Sequence, residues 1–237
     1  MEFAHPLTPG RLQRRYKRFL SDVLLDDGRA VTAHCANPGS MLGLATPGAR
    51  VWLSPAANPA RKLRWSWELV EAPSDAGSTL VGINTGRANA LVDEALAAGS
   101  IAELAGYAQR RREVRYGQNS RVDFLLEDGA GPPCYLEVKS VTLRRRGRTA
   151  EFPDAVTARG SRHLAELAAM AAQGARSVLL FLVQRGDCEE VTVAGDIDPA
   201  YAEALSAARA AGVEILCYKC DLTPSGIALD TSLPLVP

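Results

Sequence analysis

Two short segments carry the residues best suited to chemistry: Ser120-Arg-Val-Asp123-Phe-Leu-Leu and Cys134-Tyr-Leu-Glu137-Val-Lys139-Ser-Val-Thr. Successive side chains of an extended strand point to opposite faces. Glu137 and Lys139 therefore share a face, as do Arg121, Asp123 and Leu125. If the segments pair as a hairpin, Asp123 lies beside Glu137. Two carboxylates among apolar strand residues repel each other and resist losing water. A divalent cation, Mg²⁺ or Mn²⁺, removes both difficulties. Mg²⁺ needs few protein carboxylates and completes its shell with waters and phosphate oxygens. It acidifies a water to make a nucleophile and stabilises charge at phosphorus. Lys139 orients that water or offsets the developing charge. The predicted chemistry is metal-assisted phosphodiester hydrolysis by Asp123, Glu137 and Lys139. The plainer alternative is a cross-strand ion pair of Lys139 with Asp123 or Glu137.

Several elements must position these residues. A run of short strands opens the chain: Arg15 to Leu25, Arg29 to Cys35, Arg50 to Ser54, Leu63 to Val70 and Thr79 to Ile83. Asp27-Gly28, Pro38-Gly39 and Pro47-Gly48 punctuate them. Five strands without a helix suggest a small barrel of the OB type. The rest alternates helix and strand. Ala88 to Ala98 reads as a helix stopped by Gly99, and Ser100 to Glu103 as a capping box opening a second short one. Glu113 to Tyr116, Arg121 to Glu127 and Tyr135 to Leu143 read as strands. A helix over Arg162 to Gln173, the apolar strand Val178 to Val183, a helix capped by Asp198-Pro199 and the strand Val213 to Tyr218 complete the order. The expected fold is α/β (α+β overall): a barrel over residues 1–80, then an α/β sheet domain over 81–237.

The 237 residues carry no net charge, but 21 Lys and Arg against 15 Asp and Glu fall in residues 1–150, and 6 against 12 in residues 151–237. That asymmetry suggests a polyanion partner for the basic part. Arg15, Lys17 and Arg18 form one basic cluster, and Arg61, Lys62 and Arg64 another; both are candidate phosphate contacts, against solvated loops. Arg159 and His163, four apart, either contact a phosphate together or open a solvated helix. The loop His34 to Met41 either approaches a ligand through Gly39 or is a plain turn. Trp65 and Trp67 share a face, for stacking on bases or for the core. Five scattered cysteines exclude a disulfide framework, and Cys217-x-x-Cys220 reads as two reduced thiols near a strand end. No run of 18 apolar residues predicts a membrane span, and the opening residues lack a secretory pattern. A cytoplasmic protein is expected. The oligomeric state, a homodimer included, stays open.

A helix before three strands and another after, with Asp123 and Glu137-Val-Lys139, resembles the PD-(D/E)xK nuclease superfamily. Val122 stands where proline often precedes the first acid, and Pro153-Asp154 reads as a turn. A narrower resemblance covers nearly the whole chain. It rests on Arg15-Tyr-Lys-Arg-Phe-Leu, His34-Cys-Ala-Asn37-Pro-Gly39-Ser-Met41, Asn84-Thr85, Arg121-Val-Asp-Phe, Glu137-Val-Lys-Ser-Val-Thr, Phe152-Pro-Asp-Ala-Val-Thr-Ala-Arg-Gly160 and His163-Leu. Together these resemble the sugar fermentation stimulation protein family. The resemblance implies an OB-like domain, a nuclease-like domain, DNA binding and a role in regulating sugar metabolism genes. It also implies a choice between a nuclease and a non-catalytic DNA-binding regulator. Nucleases of the superfamily often add an acid from the first helix. Glu94 is the favoured candidate metal ligand, because Glu103 is already occupied by the capping box.

Overall fold

The computed structural model describes residues 1–58, 60–117 and 120–237. Six strands open the chain: β1 (Thr8–Tyr16), β2 (Leu20–Leu25), β3 (Ala30–His34), β4 (Arg50–Pro55), β5 (Trp65–Ser74) and β6 (Gly77–Gly82). They pair in the order β3-β2-β1-β4-β5-β6. A parallel contact of Ala33 and His34 with Trp65 and Ser66 joins β3 to β5 and closes the first five into a barrel. Leu12, Val23, Leu53, Trp67 and Val70 fill it. The expected strand from Arg15 to Leu25 is two strands, because Lys17 and Arg18 take positive φ (46° and 64°) and turn the chain. The expected fifth strand, β6, extends the sheet outside the closed barrel.

The second sheet runs β14 (Gly226–Ser232), β13 (Glu214–Thr223), β11 (Arg176–Val183), β9 (Cys134–Val141), β8 (Ser120–Glu127), β7 (Gln109–Tyr116). β9, β11 and β13 are parallel, and the outer strands antiparallel. The continuous apolar run of β11 is buried on both faces at the centre, as parallel strands require. α1 (Ala88–Ala97) covers one face through Leu91, Val92 and Ala95. α2 (Ala158–Ala172) and α3 (Pro199–Ala210) cover the other through Leu164, Leu167, Tyr201 and Leu205. A small parallel pair, β10 (Thr149–Phe152) with β12 (Glu190–Val193), stands beside it.

One further expectation changes. Glu103 caps no helix: only a single 3-10 turn, Ala102–Leu104, forms there, and its carboxylate accepts from the Tyr218 hydroxyl at 2.7 Å. The cysteines of Cys217-x-x-Cys220 lie in the cores on opposite faces of the sheet. The two units interlock. Gly82 N–H donates to the Gln184 carbonyl, and buried Glu68 of the barrel accepts from Arg87 and Asn84 of the connector. Residues Glu2 and Phe3 pair with Gly226 and Ser225 of the second unit. Among the described residues no helix is long and apolar enough to cross a membrane.

Candidate active site

β8 and β9 pair as a ladder only from Phe124 and Leu136 outward. At the next register position, where Asp123 faces Glu137, the ladder stops. There the Asp123 carboxylate replaces a backbone carbonyl: one oxygen accepts from Val138 N–H at 2.7 Å and the other from Asn89 of α1 at 2.7 Å. Asp123 is thus fixed by two donors from two elements. Glu137 is 3% exposed. Its Oε1 accepts from Lys139 Nζ at 2.7 Å and meets Nδ1 of the buried His163 on α2. His163 Nε2 accepts from Arg159 Nε at 3.2 Å. With Nε2 accepting from Arg159, it is Nδ1 that donates to Glu137.

The electrostatics separate the two acids. Burial and then the Glu137 charge push the Asp123 carboxyl above the ordinary range, against its bonds from Val138 and Asn89. Burial also raises Glu137, but the His163 bond and the Lys139 ammonium outweigh it and leave that carboxyl low. Asp123 therefore takes the first proton of the pair. Buried Tyr116 is pushed upward by burial and by Glu137, Glu166 and Asp123.

Glu137 Oε2 is buried and has no hydrogen-bond partner among the described residues. A buried carboxylate oxygen left unpaired is costly, and one beside a second carboxylate has the donor character a divalent cation needs. No three His, Cys, Asp or Glu side chains gather as a ligand set among the described residues. A cation would rest on Asp123 and Glu137 and complete its shell with water and phosphate oxygens, which suits Mg²⁺.

The pair opens into a cleft of about 730 Å³ lined by both units, with Arg18, Asn37 and Gly39 from the barrel side and Lys139, Asp154 and His163 opposite. Not every expected residue reaches it. Glu94 is exposed, and its carboxylate binds the Met1 ammonium at 2.6 Å. Arg15 is committed to the carbonyls of Asn37, Gly39 and Ser40 at 2.9–3.2 Å, so it holds a loop. Arg61 donates to Ser66, and Lys62 and Arg64 are exposed on the same barrel segment, outside the cleft lining. Lys17 is exposed beside Arg18 at the β1–β2 turn. Trp67 is wholly buried, with its indole N–H on the Leu69 carbonyl, so it offers no stacking face. Sequence reasoning missed Asn89, which carries no signal of its own. It also missed that His163 serves Glu137, although the sequence already singled out the histidine.

Residues 14–83 match the family described as the SfsA N-terminal OB domain, and residues 86–226 that described as the sugar fermentation stimulation protein RE domain. The chain belongs to the sugar fermentation stimulation protein family. The homolog of Rhodospirillum centenum is 59% identical, with 99% of each chain covered. That of Azorhizobium caulinodans is 53% identical over the full length of both. A solved structure, described as Pyrococcus furiosus SfsA in complex with Ca²⁺, is 29% identical. It has a TM-score of 0.89 and covers 100% of this chain and 98% of that one. The likeness extends to the closed five-stranded barrel followed by the sheet domain.

Proposed function

We propose that this protein is a nuclease, hydrolysing phosphodiester bonds of DNA with Mg²⁺ or Mn²⁺ held by Asp123 and Glu137. The carrying observation is the carboxylate pair itself: Glu137 has a buried oxygen with no partner, in a cleft shared with the barrel. The Ca²⁺ in the described complex of the Pyrococcus furiosus relative supports a divalent cation. When bound, the cation lowers the pKa of a water and stabilises negative charge at phosphorus. The chain's own residues do the rest. Val138 and Asn89 fix the Asp123 carboxylate, and His163 fixes the direction of Glu137. Lys139, only partly exposed, places its Nζ against Glu137, where it offsets charge developing on a phosphate in the cleft. Residues 1–80 act as the nucleic-acid-binding barrel, with Arg18 reaching the cleft, and residues 81–237 as the nuclease-like unit.

The competing reading is a DNA-binding regulator of sugar metabolism genes without turnover. The Asp123–Glu137 pair opposes it, since two carboxylates facing a phosphate repel it unless a cation intervenes. Incubation of labelled single- and double-stranded DNA with and without Mg²⁺ or Mn²⁺ separates the two. Metal-dependent cleavage, lost in Asp123→Ala and in Glu137→Ala, supports the nuclease. Tight, salt-sensitive binding with no cleavage of any substrate supports the regulator.

A further inference from the structure

The cleft is bounded by a closed circuit of covalent and hydrogen-bonded links. Thr85 donates to the Ala36 carbonyl through both its backbone N–H, at 3.0 Å, and its hydroxyl, at 2.9 Å. From Ala36 the chain runs to Ser40 and Met41. The Ser40 hydroxyl donates to the Asp154 carbonyl at 2.6 Å, and Met41 N–H to the Asp154 carboxylate at 3.0 Å. Asp154 follows β10, whose Glu151 N–H donates to the Leu143 carbonyl. Leu143 leads back along the chain to Val138, Val138 binds Asp123, and Asp123 binds Asn89. Asn89 lies one helical turn from Thr85, where the circuit began. Every stage of this circuit contributes residues to the lining of the one cleft.

The link between barrel and sheet domain is built to hold. A Cβ on Gly39 would stand 2.4 Å from both Asp154 carboxylate oxygens, so only glycine permits this approach. Asn37 stiffens the loop, accepting from Gly39 N–H at 2.9 Å and donating to the Ile83 carbonyl at 3.1 Å, and Arg15 holds three of its carbonyls. Next to Arg18, Phe19 is 43% exposed and stacked on His34 at 6.4 Å between ring centroids. An exposed ring beside a cation is the kind of platform on which unpaired bases stack. The cleft volume lies in the range of roughly 300–1,000 Å³ usual for small-molecule pockets, which suits one or two nucleotides.

We infer that the substrate reaches Asp123 and Glu137 through this ring, and that it is a single strand with a free end. A duplex or a covalently closed strand cannot enter the ring while Asp154 holds Ser40 and Met41. The inference rests on the nuclease reading for its chemistry but not for its binding. The test is fluorescence anisotropy with Ca²⁺, the cation of the described Pyrococcus furiosus complex, so that the carboxylate pair does not repel the phosphate, and each probe is checked for intact length after the reading. Three probes are compared: a linear single-stranded DNA of about 30 nucleotides, longer than the roughly 4–16 that one OB fold covers, the same strand ligated into a circle, and the linear duplex. Wild type should bind the linear strand at least about tenfold more tightly than either other probe. Ser40→Ala with Asp154→Ala, which opens the ring, should bring the circle within about threefold of the linear strand. Equal affinity of wild type for linear and circular strands, or absence of binding to all three, overturns the inference. So does a preference that survives unchanged in the double variant. Failure of the nuclease reading looks different: the binding preference stands, but Mg²⁺ produces no cleavage of the linear strand.

Discussion

Gly39→Ala should change sign with the residue it faces. In the wild-type background the new methyl would sit 2.4 Å from both oxygens of Asp154. The colliding atoms are the far end of a partly exposed side chain, so the carboxylate can rotate away. It then abandons the Met41 N–H, which sits at 3.0 Å on a nearly buried residue. A hydrogen bond to a charged group contributes about 1.5–3 kcal/mol net. Replacing glycine by alanine where the backbone tolerates it returns about 0.4–1 kcal/mol through the unfolded chain. The net cost is therefore about 1–2 kcal/mol. In an Asp154→Ala background the bond is already gone and the space is open. Gly39→Ala should then be neutral or stabilise by about 0.5 kcal/mol. Urea unfolding of the four proteins gives the coupling directly, and about 2 kcal/mol is expected. If Gly39→Ala costs the same in both backgrounds, the link between the loop and Asp154 is not what requires a glycine.

Arg15→Ala should lower the unfolding midpoint, because Asn37, Gly39 and Ser40 lose the donor on their carbonyls. Arg18→Ala should leave stability alone and reduce the salt slope of DNA binding by about one; the reverse pattern refutes these assignments. Asp123 has a raised folded-state pKa, so its relative contribution to metal-free stability is greatest below the ordinary aspartate pKa and is lost as pH rises through the folded value. In pH-resolved urea titrations Asp123→Asn should therefore gain on wild type as pH rises above the ordinary aspartate value of about 4; a difference that stays constant as pH rises contradicts it. All five cysteines are buried, and burial raises Cys134, Cys188, Cys217 and Cys220 to about 12. Neutral thiol reagents should label them only on unfolding. Rapid labelling of the folded protein would mean that one core opens.

The local devices of the site were legible because they depend on short-range rules. Strand alternation set Glu137 and Lys139 on one face, and the turn at Asp27-Gly28 and the stop at Gly99 follow from glycines that adopt positive φ. The Asp198-Pro199 start of α3 follows from capping chemistry, with the Asp198 carboxylate accepting from Tyr201 N–H. What escaped depends on contacts distant in sequence. Asn89 meets Asp123 34 residues away, and Asp154 meets Met41 113 residues away. No local pattern marks either. Pro153-Asp154 reads as a turn and leads into a bend after β10, but its use as a bridge appears only when the barrel loop is beside it. Glu94 illustrates the converse. An acid on the right helix was a reasonable ligand by analogy, yet the helix face turns it to the Met1 ammonium.

The most direct test of the account is single-turnover cleavage of a labelled linear DNA strand by wild type and by Glu137→Gln, each titrated with Mg²⁺. The substitution keeps the shape of the side chain and removes the charge that the unpartnered oxygen carries. Wild type should cleave in proportion to bound Mg²⁺. Glu137→Gln should lose at least about a hundredfold, more than the roughly 10–100-fold cost of losing an outer-shell partner of a metal ligand. Cleavage by wild type without any divalent cation, or undiminished Mg²⁺-dependent cleavage by Glu137→Gln, would contradict the assignment of this carboxylate pair as the metal-holding centre.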